Sequence, residues 1–363
     1  MKNTYFTPGP AELYPTFYQH LQRAMDEQIG SISHRSQQFR DIYKFADEQL
    51  RTLLAIPATH GIFFTGSASE VWERMLLNCV EHESFHLVNG SFSQKFYDYA
   101  NDLHKHAHVL EKPFGEGFDA ADIEVPAYAE LVCLTHNETS SGVQMRPADM
   151  HKLKRKYPKK LFCVDTVSSA PYPDLDFNLI DSAFFSVQKA FGMPAGMGIW
   201  IANQTCLAKA ERLQKNDSLT IGAHHTLPTL WKHYKTFETP ATPNVLYIYL
   251  LGKIAEDFNR IGIDNIRKQT EEKARMLYKF LDSSDGYAAF VKPDRHRSQT
   301  VIVATTGSPD RVKSPADVIK VAKTANMIVG SGYGKYKESQ IRIANFPAVS
   351  VDQVAALIKE LQK

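Results

Sequence analysis

The feature that most restricts the fold is an alternation. Near-continuous apolar runs of strand length recur through the N-terminal part of the chain, with helical patterns between them. Gly61-Ile62-Phe63-Phe64-Thr65 precedes a helix expected at Glu70 to Val80, and Phe85-His86-Leu87-Val88-Asn89 precedes one at Ser93 to Leu103. Leu131-Val132-Cys133-Leu134-Thr135 precedes a helix at Ala148 to Lys156, and Leu161-Phe162-Cys163-Val164-Asp165 follows it. Strands that are apolar along their whole length, not only on alternate residues, are covered on both faces. That is the pattern of an α/β fold with a mostly parallel sheet flanked by helices. Loops at the carboxyl ends of such strands form the ligand crevice.

Two amphipathic helices, expected around Pro15 to Gln28 and Gln37 to Leu54, come before this pattern, after the loop Phe6-Thr7-Pro8-Gly9-Pro10. A long helix, about Leu246 to Ile261, leads away from it. A second α/β pattern follows, with a helix at Asn265 to Leu281, strands at Gln299 to Thr306, Met327 to Gly330 and Gln340 to Ile343, and helices between and after. The expected organisation is a large domain, 1-255, and a smaller C-terminal α/β domain, 256-363. The N-terminal segment, about 1-14, is expected to pack on the small domain. A chain of 363 residues suits two such domains.

Charge narrows the partners. The 42 basic and 40 acidic residues are mixed throughout and leave a net charge of +2, which gives no reason to expect nucleic acid or a membrane surface. No stretch is apolar for long enough to span a bilayer, and the N-terminus has no secretory pattern. Cys79, Cys133, Cys163 and Cys206 show no CxxC or metal-type spacing, so they are expected as core thiols in a reducing, cytoplasmic compartment, and no metal site is expected.

Chemistry concentrates where the strands end. Ser182-Ala183-Phe184-Phe185-Ser186 reads as a buried strand that stops at Gln188-Lys189, followed by a flexible segment with Gly192, Pro194, Gly196 and Gly198 and a second apolar run, Ile199-Trp200-Ile201-Ala202. A lysine there is partly desolvated, which lowers its pKa and frees its amine as a nucleophile toward a carbonyl. Taken alone, a lysine at a strand end is an ordinary surface group. Other strand ends add to it. Thr65-Gly66-Ser67-Ala68-Ser69-Glu70 is a small-residue turn entering a helix, either a simple N-cap or an anion cradle. It matches neither a Walker loop nor a GxGxxG fingerprint. Thr135 to Gly142 is too polar for a strand and too short for a helix, so it is expected as a loop over the crevice. Asp165 follows a buried strand as a cap or as a carboxylate facing a cation. A phosphate cradle, a carboxylate for a pyridinium nitrogen and an amine for an aldehyde together meet the needs of pyridoxal 5'-phosphate (PLP).

With these residues in view, the sequence resembles the fold-type I, class V PLP-dependent aminotransferases, and within them the phosphoserine aminotransferase branch. The resemblance runs from Phe6-Thr7-Pro8-Gly9-Pro10-Ala11 through Ser33-His34-Arg35-Ser36 to Arg342. It implies that Lys189 is the catalytic Schiff-base lysine and that Gln188 reaches the cofactor phosphate. Asp165 would bond the pyridinium N–H, Thr139 of Asn137-Glu138-Thr139 the phenolic oxygen, and Ser67, Ala68 and Ser69 the phosphate. Thr239, in Glu238-Thr239-Pro240-Ala241-Thr242-Pro243, would be lent by the second subunit of a homodimer with shared active sites. Phe92 stands where most members place a tryptophan over the ring.

For the substrates, an amino acid and a 2-oxo acid, the resemblance assigns Arg342 to the α-carboxylate. The arginine interrupts the apolar strand Ile341-Arg342-Ile343 and suits a bidentate hold. His34 and Arg35 match the motif that meets the substrate's distal anion. The tail departs from the branch: where Gly-His-Arg is usual, Gly334-Lys335-Tyr336 stands here, keeping one cation at Lys335 and losing the arginine. Gly332 to Lys337 also resembles the tail of alanine–glyoxylate and serine–pyruvate aminotransferases, and Glu238 replaces a usual asparagine. The implied reaction is transfer of the amino group of phosphoserine to 2-oxoglutarate, in serine biosynthesis, with the alanine–glyoxylate or serine–pyruvate reaction as the alternative. A cysteine desulfurase would need a thiol in the C-terminal third, where none lies beyond Cys206. A non-catalytic binding protein of this shape would be expected to have lost the amine, whereas Lys189, Asp165 and Thr139 are all present.

Overall fold

The computed structural model describes residues 2–307 and 314–363. Its strands are β1 (Thr4–Phe6), β2 (His60–Thr65), β3 (Glu83–Val88), β4 (His106–Glu111), β5 (Leu131–Thr135), β6 (Asn137–Glu138), β7 (Val143–Gln144), β8 (Leu161–Asp165), β9 (Ser182–Ser186), β10 (Gly198–Asn203), β11 (Tyr287–Ala289), β12 (Val301–Thr306), β13 (Met327–Ser331) and β14 (Gln340–Ala344). Seven of them form the large sheet in the order β2-β10-β9-β8-β5-β3-β4. The pairs from β9 across to β4 are parallel, and β10 runs antiparallel to both of its neighbours.

The whole-length apolarity of these strands has the expected cause. Every residue of β8 and β9 is buried. Successive side chains point to opposite faces, so Ala183 and Phe185 enter one core cluster while Phe184 enters the other. The first cluster also takes Ile248, Leu251 and Phe258 from the helix Val245–Ile261, which packs along the helix Gln37–Leu54. The second takes Val71, Trp72 and Met75 from the helix Ala68–Cys79.

The second sheet has the order β1-β13-β14-β12-β11 and is antiparallel except where β1 joins β13. Its register sets Thr4 against Met327 and Phe6 against Val329, and Phe6 is fully buried with Leu277, Ile302 and Ile343. Thr4–Phe6 of the N-terminal segment is therefore part of this sheet, while Ala11 N and Tyr14 N donate to the carbonyls of Gln188 and Gly192. The expected helices are present, with ends displaced by a residue or two: Ala68–Cys79, Ser91–Asp102, Pro147–Lys156, Val245–Ile261 and Ile263–Asp282.

Two local expectations are corrected. The loop expected from Thr135 to Gly142 contains the two-residue strand β6, paired antiparallel with β7, and its residues 136–142 are buried. The first part of the segment after Lys189, expected to be flexible, is packed inside: Ala190, Phe191 and Met193 are each 1 % exposed or less, and Tyr14 N donates to the Gly192 carbonyl, while Ala195 and Gly196 beyond them are exposed. Phe191 stacks on Phe185 at 4.7 Å, an attraction that periodicity does not show. All four cysteines are buried and unpaired. Among the described residues no helix is long and apolar enough to cross a membrane.

Candidate active site

The parallel strands deliver their polar residues to one end of the sheet. Ser67 follows β2, Phe92 follows β3, Thr139 lies just past β5 and β6, Asp165 closes β8, and Lys189 lies beyond β9. Eight of the nine expected cofactor residues line one cavity: Ser67, Ala68, Ser69, Phe92, Thr139, Asp165, Gln188 and Lys189. Trp72, Asn137, Val167 and Ser186 complete it, around about 570 Å³ of space not filled by atoms.

Lys189 is half-buried, and its Nζ donates to the carbonyl oxygen of Pro8 at 2.6 Å. Its pKa is lowered to about 8, by burial first and by the Arg342 charge second, with the Asp165 charge opposing them. A fraction of the amine is therefore neutral near pH 7, as a nucleophile needs.

Asp165 is 3 % exposed. Burial raises its pKa to about 7, against the stabilising N–H groups of Val167 at 2.8 Å and the Trp72 indole at 3.2 Å. A carboxylate held so poorly solvated gains most from a cationic N–H donor.

The loops carrying Phe92 and Thr139 are tied together by Glu138, which is 1 % exposed. Its carboxylate accepts from the backbone N–H groups of Phe92, Ser93 and Ser140 and from the hydroxyls of Ser93 and Ser140. Ser67 is the N-cap of the helix Ala68–Cys79, its hydroxyl accepting from Glu70 N at 3.2 Å, so that helix directs its N-terminal N–H groups into the cavity.

Arg342 interrupts β14 as expected: Ile341 and Ile343 are fully buried on one face and the arginine leaves by the other. Its Nε donates to the Ser331 carbonyl at 2.8 Å and its Nη1 to the Thr139 carbonyl at 3.4 Å, which brings it to the rim of the Lys189 cavity. The Tyr333 ring, 5.3 Å from the guanidinium, also lies 5.2 Å from the Phe92 ring, and its hydroxyl accepts from Lys95 Nζ at 3.1 Å.

The remaining expected residues lie elsewhere on this chain. Thr239 lines a second cavity with Glu238, Thr65 and Gly66, across the Thr65-Gly66-Ser67 turn from the first. Its hydroxyl oxygen is buried without a hydrogen-bond partner among the described residues. Arg35 donates to Thr239 O at 3.1 Å and to Glu238 at 3.4 Å, while Arg40 Nε donates to Glu238 at 2.9 Å. His34 is not among the residues lining either cavity. Lys335 sits over the Tyr336 ring at 5.4 Å, and Tyr336 stacks on Phe114 at 4.2 Å.

Compared with known proteins, residues 94–334 match the family described as aminotransferase class-V. The chain belongs to that family. A solved phosphoserine aminotransferase from Cytophaga hutchinsonii is 49% identical, covers 99% of this chain and 98% of its own, and superposes with a TM-score of 0.96. A phosphoserine aminotransferase from Rhodococcus opacus is 25% identical over 98% of this chain and 93% of its own length. A PLP-bound phosphoserine aminotransferase from Trichomonas vaginalis, 20% identical with full coverage of both chains, has a TM-score of 0.82 and shares the fold.

The class-V aminotransferase described here is a PLP-dependent enzyme of fold-type I, and its cavity fits that cofactor. The Gln188 side-chain oxygen is buried there without a partner among the described residues, the helix N-terminus suits a phosphate, and the amine and carboxylate face one space. Sequence reading missed Trp72, the Pro8 carbonyl, the Glu138 web and the pair Lys95–Tyr333. Only Glu138, inside the Asn-Glu-Thr motif, left a signal there.

Proposed function

We propose that the enzyme transfers the amino group of an amino acid with a distal anion to 2-oxoglutarate, with phosphoserine as donor and 3-phosphohydroxypyruvate as its keto product. The observation that carries this is the 49% identity, over nearly the whole of both chains, to a phosphoserine aminotransferase. Bound PLP supplies an electron sink for the charge that develops at the substrate's Cα. Lys189, with its lowered pKa, takes the proton from Cα. Asp165 holds the cofactor's ring N–H, Thr139 its phenolic oxygen, and the Ser67-Ala68-Ser69 turn with Gln188 its phosphate. Phe92 covers the ring. Arg342 holds the α-carboxylate of the donor, and His34, Arg35 and Lys335 meet the distal phosphate.

The same reading makes the enzyme a homodimer in which Thr239, His34 and Arg35 serve the partner's cavity. Their placement outside the Lys189 cavity of their own chain and the unpartnered, buried Thr239 hydroxyl support it. It divides the chain at 255/256 and places it in the cytoplasm, consistent with four free thiols.

One observation favours a second reading, the alanine–glyoxylate or serine–pyruvate reaction: Tyr336 stands in the tail where the branch carries an arginine, and it stacks on Phe114. A donor panel of phosphoserine, serine, alanine and glutamate, each with 2-oxoglutarate, pyruvate and glyoxylate, decides between them. Phosphoserine is expected to lead. Alanine with glyoxylate, or serine with pyruvate, ahead by more than about tenfold would overturn the proposal. Arg35→Ala should lower kcat/KM for phosphoserine about ten- to a hundredfold and leave alanine nearly unchanged, since a charge-assisted contact contributes about 1.5–3 kcal/mol.

A further inference from the structure

We propose that the outer edge of the large sheet carries a binding site for a late first-row divalent cation, zinc or nickel, formed by Glu83, His106 and His108. β4 is the last strand of the seven, and among the described residues β3 is its only neighbour. His106 and His108 are two residues apart on β4, so their side chains leave the same face. The parallel register sets Glu83 opposite His106, on the strand next door. One donor atom from each of the three residues lies within 4.8 Å of the other two. The imidazole rings stack at 5.0 Å, and His108 Nε2 lies 2.7 Å from Glu83 Oε2.

Chemistry then selects the ligand. Two imidazole nitrogens and one carboxylate oxygen suit zinc or nickel, whereas magnesium and calcium take sets built from oxygen. Three protein donors leave further positions for water. Among the described residues, no lysine or arginine pairs with Glu83, so no internal cation competes for its charge. The Glu83 and His108 side chains are 22% and 34% exposed, and His106 is exposed, so an ion can enter directly from solvent. Glu83 and His106 begin their strands, whereas Lys189 lies past the carboxyl end of the same sheet. The site is thus remote from the amine. Its effect is to tie the edge strand to the sheet.

Calorimetric titration of the metal-free holoenzyme with zinc chloride tests this, alongside the double variant His106→Ala/His108→Ala and the single variant Glu83→Gln. The wild-type enzyme should bind one zinc per chain saturably and gain a few degrees in Tm at a large excess over Kd. The double variant should bind at least about tenfold more weakly and lose the Tm gain, with Glu83→Gln in between. Metal-free transamination rates and the visible cofactor band should be the same in all three, which shows that the variants are folded. An unchanged isotherm in the double variant, or no saturable binding by the wild type, would overturn the proposal.

Discussion

Lys189 Nζ donates a 2.6 Å hydrogen bond to the Pro8 carbonyl oxygen, and a Cβ placed on the next residue, Gly9, would lie 2.3 Å from that nitrogen. Gly9 also has φ +141°, a backbone conformation that side chains resist. Gly9→Ala should therefore displace the amine and lower kcat about tenfold to a hundredfold, as small misplacements of reacting groups do. Steady-state kinetics with an unchanged far-UV spectrum would verify it, and full activity would refute it.

Removing the amine itself has a simpler signature. Lys189→Ala should retain no PLP after borohydride reduction and denaturation, and its turnover should fall at least about a thousandfold with loss of nucleophile and base together. Mass spectrometry of the reduced protein reads the first effect. A PLP adduct on the variant would exclude Lys189 as the attachment point.

The lowered pKa of Lys189 sets how the cofactor-free protein captures PLP. Only the neutral amine attacks an aldehyde, so the capture rate should rise with pH and level off above about 8. Arg342→Met deletes a nearby positive charge that lowers this pKa, which should move the midpoint to higher pH. Asp165→Asn should move it lower. Stopped-flow absorbance across pH 6–10 measures the midpoints, and coincident curves for the three proteins would contradict the electrostatic account.

Asp165 leaves a stability signature of opposite slope. Its pKa in the folded, cofactor-free protein, about 7, lies above the ordinary 3.8, so over that interval the folded state holds a proton that the unfolded chain has released. Its stabilising contribution is complete below about pH 4 and is lost as pH rises through 7. The stability of the wild type minus that of Asp165→Asn, from urea unfolding, should fall by on the order of a few kcal/mol across this window. Turnover of Asp165→Asn should drop about 10²–10³-fold.

How much of this was legible follows from how each residue makes its contacts. Asp165 and Lys189 stood out because polar groups at the ends of buried strands break an apolar run, and the strand pattern itself placed them at one end of the sheet. Trp72 could not be singled out: an aromatic on the apolar face of a helix reads as core, and most of it is core, with one indole N–H spent on Asp165. β4 escaped because an edge strand with a solvated face, His106-Ala107-His108-Val109-Leu110-Glu111, lacks the apolar run that marked its neighbours. The Pro8 carbonyl left no trace at all, since a backbone oxygen carries no side-chain identity and its partner lies far along the chain.

The pairing of β1 with β13 also has a consequence for synthesis. Among the described residues β1 has a single sheet neighbour, β13, which is made after β2 to β12 have all been synthesised. The large sheet can assemble while translation proceeds, because its last strand, β10, is complete by Asn203. The pairing of Phe6 must wait for Met327 to Val329 to emerge. A nascent chain stalled before that point would hold a folded large sheet while β1 still has no strand to join.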